Sequence, residues 1–476
     1  GNPERRPNLT LVSGGREVVT ADIRNPADPP LSGEARCPVQ QCTGWELVRG
    51  EDGDTLLLSL QAGPWRVRAE WRLQPGSDTA RLRLSAVWTG AGRERLRHIL
   101  FTTPLVTVGA PTAVTFEAPG LPIAPHRPLA ELPADFHMSL GDTPAGTPGL
   151  SALCNRETGQ VALTWACTAA ESTWGAVYRE PEGIRVEHRL VLADDLGPGE
   201  GVSGGAFYFR TGTAGWEAAL QDFHRWYGEV GLAAPWDRPR WTEMASLYEL
   251  HIGNAVVADG PYAPLPEAQD LLARLPAIKA LGFNTIQIMP RQPYAGYSVH
   301  DYYDVTTQHG DEATLREVIR VAHSLGMRVI FDMVIHGAND RVVARQTYER
   351  SGGLFPEWLL HWAEVSHERA PYLDAHPEWF LRDEDGAIRW TYTWAFDHMN
   401  DSFQRFFIDV LRYYLLDLGA DGFRMDAPTW NLYPNWQPGL PYRAGDSYNG
   451  WAHLFRRARP LLKAAKPDSM LYAEGN

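Results

Sequence analysis

The chain has 476 residues, 44% hydrophobic and 21% charged, with a formal net charge of −14, which is length enough for two or three domains with sizeable cores. That acidic balance argues against nucleic acid or an anionic membrane surface as the main partner, because both demand basic patches. No run approaches the ~20 apolar residues of a membrane-spanning helix, and a surplus of aromatics, with 18 Trp and 18 Tyr, suits the stacking of flat sugar faces as well as core packing.

The start, Gly1–Arg6, has no apolar segment, so a signal peptide is absent or already removed; cytoplasmic and secreted locations both stay open. Residues 1–213 read as an antiparallel β-sandwich domain. In Trp65-Arg66-Val67-Arg68-Ala69-Glu70-Trp71-Arg72-Leu73 apolar and polar residues alternate strictly, the period of a half-buried strand. After a Pro-Gly-Ser-Asp turn, Ala80-Arg81-Leu82-Arg83-Leu84 repeats the alternation, as a hairpin would. Strand-like runs recur up to Phe207-Tyr208-Phe209. The four cysteines, Cys37, Cys42, Cys154 and Cys167, all fall in this region without a CxxC pair or a His cluster, which argues against a zinc site and leaves a Cys37–Cys42 disulfide open. The Trp residues here read as core rather than glycan-binding.

Residues 214–240 read as a connecting helix and linker. Trp216, Leu220, Phe223 and Tyr227 fall at helical spacing, with Gly231 beyond the end and Pro235 and Pro239 in the linker. From 241 onward strands alternate with helices, the signature of βαβ units. Strands are expected at Leu247–Ile252, Thr285–Met289, Arg328–Ile335, Gly422–Asp426 and Met470–Glu474. A helix is expected over Asp401–Leu418, N-capped by Asp401 and stopped by Gly419, with Phe403, Phe406, Phe407, Val410, Leu411 and Tyr414 on one face. Between the third and fourth strands lies an insertion at about 338–398, rich in Trp (Trp358, Trp362, Trp379, Trp390, Trp394) and far longer than an ordinary connection.

Polar residues close these strands: Asp332 in the third, Asp426 in the fourth and Glu474 at the end of the fifth. In a parallel α/β barrel the carboxyl ends of the strands converge on one face, where active sites form, so carboxylates far apart in sequence point into one pocket. Glycosidic cleavage uses such a pair, one ionised as nucleophile and one protonated as acid, ~5–5.5 Å apart in retaining enzymes. Arg424, two residues before Asp426, shares its face by strand period and would keep the nucleophile ionised. Only three lysines occur, Lys279, Lys463 and Lys466, which leaves few candidates for a Schiff base. A lone Asp at a strand end is more often a cap or a loop hydrogen-bonder; three such carboxylates in one alternating series weaken that bland reading. Glu249 and His251 read as satisfied polar groups near the pocket.

Gly422-Phe423-Arg424-Met425-Asp426-Ala427 resembles the nucleophile motif of the α-amylase superfamily (glycoside hydrolase family 13-like). Phe331-Asp332-Met333-Val334-Ile335 is similar to its third-strand motif, and Leu471-Tyr472-Ala473-Glu474 to the fifth-strand motif that ends in the acid/base. Tyr248-Glu249-Leu250-His251, the stretches Leu281–Asn284 and Met289-Pro290, Gly296–Tyr303 and His376-Pro377-Glu378-Trp379-Phe380 agree in order, and the Trp-rich insertion falls where the family carries its domain B. The resemblance implies an N-terminal β-sandwich followed by a (β/α)8-type barrel, present only to about its fifth strand, acting on α-glucosidic bonds of α-glucans or maltooligosaccharides by hydrolysis or transglycosylation. It implies Asp426 as nucleophile, Glu474 as acid/base and Arg424 as the nucleophile's partner. Tyr297 becomes a stacking platform for the sugar, Asp301 and Asp332 supports of the pocket, and His300 a weak substrate contact.

The chain also departs from the pattern. The third-strand motif normally ends Asn-His, where this chain reads His336-Gly337, and Thr429-Trp430 replaces the Lys-His of many relatives after Asp426-Ala427. His336 and Trp430 are thereby candidate substrate contacts, and calcium, usually held by the replaced Asn, is left without that ligand; no other cofactor is expected. The family's third carboxylate, an Asp on the seventh strand, falls beyond Asn476, so the chain is expected to be one piece of a longer polypeptide, with the remaining strands in a further C-terminal segment or a separate chain. The rival readings are a carbohydrate-binding or regulatory protein with a degenerate barrel, and an Asp-nucleophile phosphohydrolase; no glycine-rich phosphate cradle supports the latter.

Overall fold

The computed structural model describes residues 9–14, 34–73, 76–117, 126–140, 150–166, 173–229, 235–250, 252, 267–288, 299–305, 310–350, 366–428, 431 and 433–474. The chain divides into two compact units, residues 1–233 with 439–448 and 476, and residues 234–438 with 449–475.

The first unit is built on two antiparallel sheets. One has six strands in the order His137–Leu140, Thr173–Glu180, Gly183–Leu196, Glu94–Thr102, Leu9–Gly14 and Glu34–Pro38. The other has nine, running from the edge strand Gln41–Val48 through Asp54–Ala62, Trp65–Leu73, Thr79–Trp88 and Gly201–Gly212 to Val161–Ala166, Ser151–Asn155, Val114–Glu117 and Arg127–Pro128. The period-2 pattern sets which face is covered. Trp65, Val67 and Ala69 are buried while Arg66 and Arg68 are exposed, and Leu82, Leu84 and Ala86 of the next strand are buried too. These residues pack with Leu11, Ile99 and Leu190 of the other sheet in one cluster, a sandwich-like arrangement.

Cys37 and Cys42 are free thiols, so the pairing left open by their spacing is not made. The chain changes sheets between them: Cys37 lies opposite Leu11 in the six-stranded sheet, and Cys42 opposite Leu60 in the nine-stranded one. The helix Gly215–Glu229 lies where its spacing placed it, with Phe223 buried. Tyr227 is instead 39% exposed, and Trp226 joins Trp216 and Leu220 against the sheet. Gly231 lies outside the described residues.

The second unit carries a parallel sheet of five strands: β1 (Leu247–Leu250), β2 (Thr285–Ile288), β3 (Arg328–Val334), β4 (Gly422–Asp426) and β5 (Met470–Ala473), each paired with the next in chain order. Between them run the helices α1 (Ala268–Ala280), α2 (Glu312–Ser324), α3 (Asp401–Arg412) and α4 (Gly450–Ala465). All of β2 and Val329–Val334 of β3 are buried, as expected of strands covered on both faces. Gly422 opens β4 because a Cβ there would meet the Met470 carbonyl oxygen at 2.3 Å; only glycine admits β5 that closely.

The apolar stripe of α3 is as read, with Phe403, Phe407, Val410 and Leu411 buried, and a π turn over Tyr413–Asp417 continues it. Its N-cap is Asn400, whose side chain accepts from the Phe403 N–H at 3.0 Å, not Asp401. Asp401 begins the helix itself and pairs with Arg405 and Arg457. In the insertion, the helices Arg341–Arg350 and Pro371–Ala375 precede a two-residue antiparallel ladder in which Gly337 and Ala338 face Ala395 and Trp394.

Candidate active site

The carboxyl ends of β3, β4 and β5 bring the acidic residues together. Register places Asp332 opposite Arg424 and Val334 opposite Asp426, while Arg424 lies opposite Tyr472 on the other side. By the alternation of strand side chains, Asp332, Arg424 and Asp426 therefore share a face. The Arg424 guanidinium donates from Nη1 to Asp332 Oδ2 at 2.5 Å and to Asp426 Oδ1 at 2.8 Å, and its Nη2 lies 2.9 Å from Glu474 Oε1. One cation serves three carboxyl groups, two of them almost without solvent: the side chains of Asp332 and Asp426 are 0% and 6% exposed, that of Glu474 36%.

Three acids around one cation cannot all be ionised cheaply in a dry site. Burial pushes the Asp332 carboxyl up to about 8, against the pull of Arg424 and with Asp426 and Glu249 adding to the rise. Asp332 thus keeps its proton through neutral pH, and the guanidinium stands between the carboxyl groups of Asp426 and Glu474. Tyr472 donates to Gln287 Oε1 at 2.5 Å, and burial pushes its phenol up to about 12, so it remains a donor over the working range.

Immediately after Asp426 the backbone turns sharply. Ala427 has φ +38°, a left-handed conformation uncommon outside glycine that stores strain at sites where geometry matters. The turn aims the Ala427 N–H at Glu474 Oε2, 3.1 Å away, and Glu474 N–H donates to the Met425 carbonyl at 2.9 Å. The two candidate catalytic carboxyls are therefore linked both through Arg424 and through the strained turn.

His336 follows β3 and is fully buried. Its Nδ1 lies 2.8 Å from Thr393 Oγ1 and its Nε2 2.6 Å from the Tyr392 hydroxyl, with Asp426 Oδ2 at 3.7 Å from Nε2. Asn431 Nδ2 donates to the His336 and Phe396 carbonyls at 2.6 and 2.8 Å. His336 thus faces the nucleophile candidate, fully buried and with both ring nitrogens engaged.

Asp301 and His300 belong to a neighbouring set. Asp301 Oδ1 accepts from the Tyr372 hydroxyl at 2.9 Å and from the Tyr303 N–H at 3.0 Å, and the Tyr302 hydroxyl ties this segment to the Val334 carbonyl at the end of β3, at 2.6 Å. The His300 ring stacks on that of His367, centroids 3.9 Å apart; burial, with His367 beside it, pushes the His300 imidazole down. Tyr297, His251 and Trp430 lie outside the described residues. Tyr392, Thr393, Asn431 and Gln287 escaped the sequence reading. Their places come from a two-residue ladder, a single side-chain bridge and a strand neighbour, none of which leaves a periodic signal. Among the described residues no group of three or more His, Cys, Asp or Glu gathers as a metal site would.

Residues 267–447 match the model of the alpha-amylase catalytic domain. The 1,4-alpha-glucan-branching enzyme of Emericella nidulans is 27% identical over 250 residues, 50% of this chain and 33% of that enzyme. The cyclomaltodextrinase of Thermoanaerobacter pseudethanolicus is 22% identical over 290 residues, 55% of this chain and 45% of that protein. The matched part thus spans less than half of either relative. Among solved structures, an alpha-N-acetylgalactosaminidase from Bifidobacterium bifidum superposes with a TM-score of 0.63 at 12% identity, over 90% of this chain and 67% of that one. A GH36 alpha-galactosidase from Geobacillus stearothermophilus gives 0.53 at 12% identity, over 98% and 61%. At such identities the likeness is one of fold.

Proposed function

We propose that this chain, a divergent member of the α-amylase family through its residues 267–447, carries the nucleophile and the acid/base of a retaining enzyme acting on α-glucosidic bonds of α-glucans or maltooligosaccharides. The observation that carries the reading is the single guanidinium of Arg424 bridging Asp332, Asp426 and Glu474. In the first step an Asp426 carboxylate oxygen bonds to the anomeric carbon as the glycosidic C–O bond breaks, and the Glu474 proton passes to the leaving oxygen. In the second, Glu474 takes the proton of an acceptor hydroxyl whose oxygen displaces Asp426 from the anomeric carbon. With water as acceptor the outcome is hydrolysis; with a sugar hydroxyl it is transfer. The branching enzymes and the cyclomaltodextrinase among the relatives support an α-glucan substrate without choosing between the two. The five parallel strands in chain order are read as consecutive strands of a (β/α)8 barrel.

No calcium is assigned to the position of the family's asparagine. His336 stands there, with its carbonyl accepting from Asn431 and both ring nitrogens bonded to Tyr392 and Thr393, so it offers a hard cation no oxygen ligand. The test uses the protein expressed from its complete reading frame, treated with a 5-fluoro-α-glucosyl fluoride and followed by intact mass and peptide mapping. A glycosyl adduct on Asp426, absent from Asp426→Asn, is expected. No adduct, combined with calorimetric binding of maltooligosaccharides, would replace the enzyme by a glycan-binding protein.

A further inference from the structure

The short ladder between Gly337–Ala338 and Trp394–Ala395 delivers Tyr392 and Thr393 onto the two nitrogens of His336, 2.6 and 2.8 Å away. The Tyr392 ring stands edge-on to the imidazole, centroids 4.7 Å apart. Thr393 and His336 are both fully buried, and Tyr392 is half-buried. Among the described residues, the groups facing the His336 ring include Tyr392 and Thr393 from the insertion, His398 at the insertion's end and Asp426 from β4. His398 is held at the Ile335 carbonyl, 2.8 Å away, and burial keeps its imidazole down at about 4; it brings no charge to the cluster at neutral pH.

We infer that Tyr392 is a positioning residue for the nucleophile, acting through His336; the inference rests on Asp426 being that nucleophile. In this role the phenol is the donor to Nε2, 2.6 Å away, and Nδ1–H is the donor to Thr393 Oγ1, 2.8 Å away. The nitrogen facing Asp426 Oδ2, at 3.7 Å, is then an acceptor. Asp426 Oδ1 is anchored by Arg424 at 2.8 Å, while Oδ2 receives no hydrogen bond from the ring and keeps its lone pairs for the anomeric carbon. Without the Tyr392 hydroxyl the ring is free to take the opposite tautomer, with the Thr393 O–H donating to Nδ1 and Nε2–H turned on Oδ2. That bond would tie up the attacking oxygen. The replacement of the family's usual Asn-His by His336-Gly337 and the sequence Tyr392-Thr393 are thus two halves of one device. Gly337 is part of it, because a Cβ there would meet the Trp394 carbonyl oxygen at 2.1 Å.

The experiment compares wild type, Tyr392→Phe and Thr393→Val, expressed from the complete reading frame, in two measurements. Long-range proton–nitrogen correlation spectra of histidine-labelled protein, with the His336 signals assigned from a His336→Gln variant, report the tautomer without any substrate. The rate of Asp426 labelling by the 5-fluoro-α-glucosyl fluoride reports nucleophilicity. Wild type is expected to carry the His336 proton on Nδ1. Tyr392→Phe, which keeps the ring and its packing, is expected to move the proton to Nε2 and to slow labelling about tenfold at saturation with little change in the half-saturating concentration. Thr393→Val, which removes the Nδ1 partner, is expected to unfix the tautomer with a smaller loss. An Nε2 proton in wild type overturns the proposal, as does an unchanged labelling rate in Tyr392→Phe. A wild type that labels elsewhere, or not at all, overturns the assignment of Asp426 and this proposal with it.

Discussion

Replacing Arg424 by methionine removes one cation from among three acids and keeps most of the side-chain volume. The loss follows from exposure. Glu474 is 36% exposed, so its bond is screened and counts for at most ~1 kcal/mol. Asp332 and Asp426 are at 0% and 6%, and a buried pair broken by removing one partner costs ~3–5 kcal/mol; about 4 kcal/mol is expected at pH 7. The pH dependence gives a sharper test. The Asp332 carboxyl, held up at about 8, is raised above its unfolded value near 3.9, so in both proteins the folded state binds a proton the unfolded chain releases, and stability falls as pH rises through that window. In the variant the Asp332 carboxyl loses the pull of Arg424 that holds it down, so the folded state keeps that proton to higher pH. The stability difference between wild type and Arg424→Met therefore widens as pH rises past 8, by up to ~1.4 kcal/mol per pH unit. Urea midpoints followed by Trp fluorescence at several pH values measure it. A difference below ~1 kcal/mol at pH 7, or one that stays constant past pH 8, would refute the view that Arg424 is the buried partner of these acids.

Three other outcomes follow from the same structure. Gly337→Ala forces a Cβ to within 2.1 Å of the Trp394 carbonyl oxygen and 2.4 Å of Thr393 Oγ1; the ladder must open, at ~1–3 kcal/mol, read as a lowered Tm, and a Tm equal to wild type would show that the ladder is not formed. Asp421 accepts from the Val329 N–H and pairs with His323, Arg328 and Lys466. Burial pushes this carboxyl up, but the His323 ring, the Val329 N–H and Lys466 outweigh it and hold it at about 2. This depressed value contributes stability above pH ~4 that is lost as pH falls towards 2, about 2.5 kcal/mol in all; Asp421→Asn should lack that acid limb in urea midpoints taken from pH 5 down. Asn400→Ala should cost ~1 kcal/mol as a lost helix cap and Asp401→Ala less, the reverse order in urea unfolding implicating Asp401 as the cap.

Much of this protein is legible along the chain because strands and helices announce themselves by period. Trp65–Leu73 and Gly422–Asp426 have the bounds their patterns gave them, and the acids at the carboxyl ends of β3, β4 and β5 converge because parallel strands point one way. The resemblance carried by Gly422–Ala427 pointed to the family whose catalytic-domain model matches residues 267–447. Other features required the folded chain. That Arg424 serves Asp332 and Glu474 as well as Asp426, that Asp332 keeps its proton, that Asn400 and not Asp401 caps α3, and that Tyr392 and Thr393 clasp His336 are contacts between residues far apart in sequence, or choices between adjacent polar residues of equal propensity. A local pattern records which face of an element is apolar. It does not record which distant side chain fills the space opposite, because that depends on register, burial and the scarcity of counter-charge, which exist only once the strands are paired.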